Sequence, residues 1–328
     1  MSTALVTGIT GQTGSYLSEQ LLESGWTVHG LVRDADDLEP TLRERSPGAV
    51  LHTGDLASAA EVRTIVRDVA PDAIFNLGGL TSVGASWKDP DLVGLINGLR
   101  VGTLLQAAQE VREETGRSVA FVQASSAEIF GSATQVPQTE VTPIRPNNPY
   151  GAAKAYAHHL VGVYRGVGLA ASSCILYNHE SPRRPLAFVT RKITNGVARI
   201  AAGLDDRLVL GNLDAQRDWG WAPDYARALA LAATGAPGDY VIASGVAHTV
   251  RDFVRVAFAS AGIDEWERYV AVDESLLRPQ DAPVQVGDAS RAAEVLGWHP
   301  EVQFDEIVRR MVENDLELLG VTLPATKE

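Results

Sequence analysis

Cysteine is nearly missing from this chain: Cys174 is the only one in 328 residues. An intramolecular disulfide and a thiolate metal cluster are therefore excluded. Cys174 lies in the apolar run Ala170 to Leu176 and reads as a small buried hydrophobe. No uninterrupted apolar stretch reaches membrane length, and the N-terminus enters a strand directly instead of a charged leader, so a cytoplasmic, membrane-free protein is expected. Positive charge is scarce as well. Lys and Arg number 28 against 41 Asp and Glu, a formal net charge of −13, which disfavours nucleic acid and anionic lipid as partners. Internal repeats and low-complexity tracts are lacking, and only the residues after Leu323 read as a loose tail.

What the chain does have is apolar mass, 45% of it, enough for a sizeable core. Ala4–Thr7 reads as a buried strand, followed by Gly8, Gly11 and Gly14 and an amphipathic run from Ser15 to Ser24. Glycines between strand and helix let backbone approach a pyrophosphate, and the helix N-terminus offers aligned N–H donors. The spacing is G-x-x-G-x-x-G, with Gln12 and Thr13 inside it. A second strand, Thr27–Val32, ends at Arg33, which can pair with the 2′-phosphate of NADP; NADP is expected rather than NAD, although Asp34 follows directly. Asp55, after the third strand, is placed for an adenine amino group or as a turn-former. The fourth strand runs into Leu77, Gly78 and Gly79, the fifth delivers Ser125, Ser126 and Glu128, and a sixth spans Leu169–Tyr177. Strands alternating with helices predict an α/β, Rossmann-like doubly wound parallel sheet, with ligands at the carboxyl edge of the strands.

Asn148 and Pro149 read as N-cap and first residue of a helix that carries Tyr150 and Lys154 on one face. A neighbouring ammonium favours the phenolate of a tyrosine, so the pair is a candidate proton-transfer couple. Beyond Tyr177 the chain becomes polar and turn-rich. Residues 1–177 are predicted as the dinucleotide domain, 178–328 as a smaller substrate lobe, with a segment near 216–244 returning to the sheet. Arg183 and Arg191 are expected on solvated helix faces. Trp219 and Trp221 are expected in the core or against a base. His158, His159, His248 and His299 form no ligand-spaced cluster, so no metal is expected.

These residues together resemble the extended short-chain dehydrogenase/reductase family. Gly8-Ile9-Thr10-Gly11-Gln12, Gln123-Ala124-Ser125, Asn178 to Arg184, Phe188 to Thr194 and Asp214 to Gly220 are similar, within that family, to the GDP-mannose 4,6-dehydratases, from residue 4 to beyond Trp298. The resemblance implies Ser126, Glu128, Tyr150 and Lys154 as catalytic residues. It implies Gly8, Gly11, Gln12, Thr13, Gly14, Arg33, Asp55, Leu56, Leu77, Gly78, Gly79, Thr81, His179 and Arg184 around NADP, joined there by Tyr150 and Lys154. Asn178, Val189, Lys192, Arg217, Arg278 and Asp281 would meet a GDP-sugar, together with Ser126 and Glu128. The reaction implied is loss of water from GDP-mannose to a 4-keto-6-deoxy sugar, with NADP recycled within the turnover, in a homodimer or homotetramer. Two departures stand out: acidic residues follow Arg33 where the family has a second arginine, and Gly79-Leu80-Thr81-Ser82 replaces Ala-Gln-Ser-His. A reductase, an epimerase or a dehydratase of another nucleotide sugar is the competing enzyme, and a binding protein that has lost its chemistry is the competing class.

Overall fold

The computed structural model describes residues 2–33, 46–276 and 284–321. Its centre is a seven-stranded, wholly parallel sheet. Six strands come in succession: β1 (Thr3–Thr7), β2 (Thr27–Val32), β3 (Val50–Thr53), β4 (Ala73–Asn76), β5 (Ala120–Ser126) and β6 (Ala170–Leu176). Three short strands then intervene, β7 (Asn178–Glu180), β8 (Leu208–Leu210) and β9 (Gln216–Trp221), before β10 (Asp239–Ile242) pairs with β6. The order is β10-β6-β5-β4-β1-β2-β3. Winding therefore reverses between β1 and β4, and the crevice at their carboxyl ends is where such sheets hold ligands.

The central strands are buried along nearly their whole length, as expected for a parallel sheet covered on both faces. A polar thread crosses this apolar sheet at its carboxyl edge. The hydroxyl of Thr7 donates to Oδ1 of Asn76 at 2.7 Å, Nδ2 of Asn76 donates to Oε1 of Gln123 at 2.8 Å, and Nε2 of Gln123 donates to the carbonyl of Ala124 at 2.9 Å. Each of these buried groups finds a partner, so desolvation is compensated.

A second core gathers Ile193, Val197, Trp219, Phe253, Phe304 and Met311. It lies among three helices, Val189–Ala201, Val250–Ser260 and Phe304–Leu318. Beside it a small sheet joins β9 to β7, to β11 (Ala247–Thr249) and to β13 (Val284–Gln285). A pair of strands, β8 with β12 (Val270–Val272), completes this part. Here Trp219 packs against Phe253 and Phe304, and the Arg310 guanidinium lies over Trp221. Both tryptophans are core residues.

Two expectations fail here. Arg191 does not face solvent: its guanidinium is buried against Asp315 of the last helix, with Nε 3.0 Å from Oδ2. A buried carboxylate needs a cation, and Arg191 supplies it across two helices. Arg183 is half-buried, bound to Glu19 at 2.9 Å and stacked on Tyr16. It clamps the first helix to the segment after β7. Cys174 is fully buried, and burial holds its thiol well above the ordinary range.

Candidate active site

The turn after β1 shows why glycine is required. Gly8 has φ +70°, and a Cβ there would lie 2.7 Å from the amide nitrogen of Gly78. A Cβ on Gly14 would lie 2.1 Å from the carbonyl oxygen of Gly8. The helix Gln12–Glu23 begins at Gly11, which puts no side-chain cap over its first N–H groups. Bare donors over a backbone cradle suit a pyrophosphate. Thr13 and Gln12 fasten this turn to the other end of the sheet. Gln12 donates to the His179 carbonyl at 2.9 Å, and Thr13 Oγ1 lies 2.7 Å from His179 Nε2. Burial, with the nearby Arg184 cation, pulls His179 down to about 4. The ring is thus neutral at pH 7: Nδ1–H donates to the Tyr177 carbonyl at 2.8 Å, and Nε2 accepts from Thr13.

The helix Pro149–Gly166 starts as its sequence dictates. Asn148 is the N-cap, its Oδ1 accepting from Gly151 N at 2.8 Å, with Pro149 in the first turn. A Cβ on Gly151 would lie 2.5 Å from the Glu128 carbonyl, so glycine lets this helix press against the segment that follows β5. That segment, Ala127–Phe130, is one 3-10 turn capped by Ser126, whose Oγ accepts from Glu128 N at 3.2 Å. With an acceptor lone pair so used, the Ser126 hydroxyl is free to donate, and its nearness to Tyr150 opposes the effect of burial on the phenol.

Lys154 Nζ lies 5.8 Å from the Tyr150 ring centre and donates to the Ala124 carbonyl at 2.8 Å. Both residues are buried. Burial raises Tyr150 to about 12 and lowers Lys154 to about 8. Desolvation is the largest cause of the Tyr150 rise and Glu128 adds to it, while Ser126 and Arg184 act against it, so the phenol, and not the expected phenolate, is the resting form of the protein alone.

Glu128 is half-buried and lines the same cleft as Tyr150. Its Oε2 accepts from Asn148 Nδ2 at 2.7 Å and its Oε1 from Gln285 Nε2 at 3.3 Å. Neither contact was visible in the sequence. Asn148 was legible only as a cap, and Gln285 carries no motif.

This cleft, of about 620 Å³, is lined by Gly8, Gly11, Gln12, Thr13, Gly14, Leu77, Gly78, Gly79 and Thr81. Ser126, Glu128, Tyr150 and Lys154 line it too, as do Asn178, His179, Arg184, Val189, Lys192 and Arg217. Arg33, Asp55 and Leu56 do not line it. Arg33 is exposed at the end of β2, and exposed Asp55 accepts from Ala57 N at 2.8 Å as a turn-former does. Leu56 packs against Gly78 from behind. Arg278 and Asp281 lie outside the described residues. Among those described, no group of His, Cys, Asp and Glu is arranged to hold a metal ion, and no helix is long and apolar enough to cross a membrane.

Comparison with known proteins agrees with this geometry. The profile of the GDP-mannose 4,6 dehydratase family matches residues 5–311. GDP-mannose 4,6 dehydratase 1 of Arabidopsis thaliana is 43% identical over 326 residues, covering 96% of this chain and 90% of that protein. The Homo sapiens GDP-mannose 4,6 dehydratase is 41% identical over 343 residues, covering 96% and 92%. Among solved structures, the UDP-glucose 4-epimerase of Thermus thermophilus in complex with NAD superposes with a TM-score of 0.83 at 28% identity, covering 95% of this chain and 98% of that one.

Proposed function

From the premise that this chain belongs to the GDP-mannose 4,6-dehydratase family, we propose how its cleft performs that lyase reaction, the conversion of GDP-mannose to GDP-4-keto-6-deoxymannose and water. The observation that carries the reading is the meeting of a carboxylate, Glu128, with the Ser126–Tyr150–Lys154 group in one cleft. A simple oxidoreductase on this scaffold needs no such acid.

The cofactor of the family is NADP, and the glycine cradle under an uncapped helix N-terminus fits its pyrophosphate. Bound there, it supplies a hydride acceptor that later becomes the donor. Tyr150 takes the proton of the C4 hydroxyl as the C4 hydride leaves, and Ser126 donates to the same oxygen. Lys154 stabilises the phenolate that burial disfavours, and a bound cationic nicotinamide would add to this. The C4 ketone acidifies C5–H, and Glu128 removes that proton. As the C6–O bond breaks, Glu128 passes the proton to the departing hydroxyl, which leaves as water. Tyr150 returns its proton to C5; with NADP bound, the hydride taken from C4 would be restored at C6, so that electrons balance within one turnover.

Arg217 and Lys192 are proposed to meet the diphosphate, since guanidinium and ammonium groups suit phosphate oxygens. Residues 1–177 with β10 would serve the cofactor and the remainder the sugar nucleotide; the separate second core supports that division. A homodimer is proposed through the helices beside the cleft, supported by exposed Leu99, Tyr156 and Val163. Purified protein with GDP-mannose and catalytic NADP⁺ should release a product 18 mass units lighter without net NADPH. Glu128→Gln should bind cofactor normally and form no such product. Undiminished water loss by that variant would remove Glu128 from the scheme.

A further inference from the structure

Glu128 is gripped by two side-chain amides that arrive from different parts of the chain. Asn148 comes from the cap of the Pro149–Gly166 helix. Gln285 comes from β13, where it pairs with Arg217 of β9 in the small sheet. Both amides are buried, each about 5% exposed. We infer that Asn148 and Gln285 are positioning residues, aiming the Glu128 carboxylate for removal of the C5 proton. The inference rests on the role proposed for Glu128 above.

The orientation of Asn148 is fixed by its cap. Oδ1 receives the Gly151 N–H at 2.8 Å, so Nδ2 must turn to Glu128, 2.7 Å away. The same nitrogen lies 3.1 Å from Asn147 Oδ1. One amide thus does two things, starting the tyrosine helix and tying the carboxylate to it. Gln285 secures the other oxygen at 3.3 Å. Each amide N–H engages a different carboxylate oxygen, so the two together fix the plane of the carboxylate as well as its position. A free lone pair on each oxygen is left for the substrate. Because the second amide belongs to the other lobe, the grip is complete only when β13 sits against the cleft.

The test separates C4 oxidation, which needs Tyr150, from water loss, which needs Glu128. Asn148→Ser keeps a capping oxygen but removes the amide N–H that reaches Glu128. Gln285→Leu keeps the volume and removes the other. Single turnovers on GDP-mannose followed at 340 nm report oxidation, and product mass together with deuterium entry at C5 in D₂O reports the later steps. Both variants should keep the wild-type melting temperature, a KM within about threefold and the oxidation rate, with NADPH accumulating transiently. Water loss should slow by about 10- to 100-fold, as expected for a lost hydrogen bond to a charged group. Asn148→Asp retains an excellent cap but sets a second carboxylate against Glu128, and should be slower still than Asn148→Ser. Unchanged water loss, equal slowing of both phases, or full water loss in Asn148→Asp overturns the inference. Should Gln285→Leu fail to fold, the Asn148 pair decides alone. If Glu128→Gln itself eliminates water, the functional reading has failed; if only the amide variants behave as wild type, that reading stands without this addition.

Discussion

Lys154 donates its Nζ–H to the carbonyl oxygen of Ala124 at 2.8 Å, on the same oxygen that Gln123 Nε2 reaches at 2.9 Å. The ammonium is thereby anchored to the sheet edge. The anchor is bought at a cost in stability, because burial pulls Lys154 from 10.5 to about 8.

That cost has a definite pH window. Between about pH 8 and 10.5 the unfolded chain holds a proton that the folded chain has released, so the lysine's contribution to stability rises with pH there. Below pH 8 the folded protein carries the buried charge and the penalty is complete. Lys154→Met should therefore melt above wild type at pH 7, with the gap closing as pH approaches 10, while remaining inactive. Calorimetry of both proteins across pH 7 to 10 checks this; a gap that does not change with pH would refute it.

Tyr150→Phe removes the only group proposed to take the C4 hydroxyl proton. Single-turnover NADP⁺ reduction at 340 nm should fall by about 10²- to 10⁴-fold. Cofactor affinity, measured by fluorescence titration, should change little.

Gly14→Ala places a methyl group against the Gly8 carbonyl. No flexible side chain can yield there, so the turn itself must open. Affinity for NADP⁺ should weaken by at least about tenfold, and the melting temperature should drop, since overpacking of this kind costs about 1–3 kcal/mol. Isothermal titration and thermal melts provide the two readings.

Arg191→Ala would strand the fully buried carboxylate of Asp315, which Thr194 Oγ1 also contacts at 2.7 Å. A loss of about 3–5 kcal/mol is expected in urea unfolding. The double variant Arg191→Met/Asp315→Leu should recover most of it, because no charge is then left unpaired.

Much of the architecture could be read from local chemistry. The Asn148-Pro149 start predicted its helix, and the buried runs ending in glycine or serine predicted the strands and the edge where their ends converge. Within the segment near 216–244, β10 pairs with β6 at the edge of the main sheet. The reading failed where a partner lies far along the chain. Arg191 looks like any helix-surface cation until Asp315, 124 residues away, is folded against it. Gln285 sits in a run with no motif, and its contact spans 157 residues. Tyr150 shows a third kind of failure: spacing gives its neighbour, but only burial decides which of them carries charge.

The thread Thr7–Asn76–Gln123–Ala124 consists of a hydroxyl, two carboxamides and a peptide carbonyl, none of which changes charge near neutral pH. Those four groups can therefore neither take up nor release a proton, and the thread conducts no charge along the sheet edge. The titrating side chain that touches it is Lys154, on the Ala124 carbonyl, so the scaffold presents its proton chemistry at that end alone.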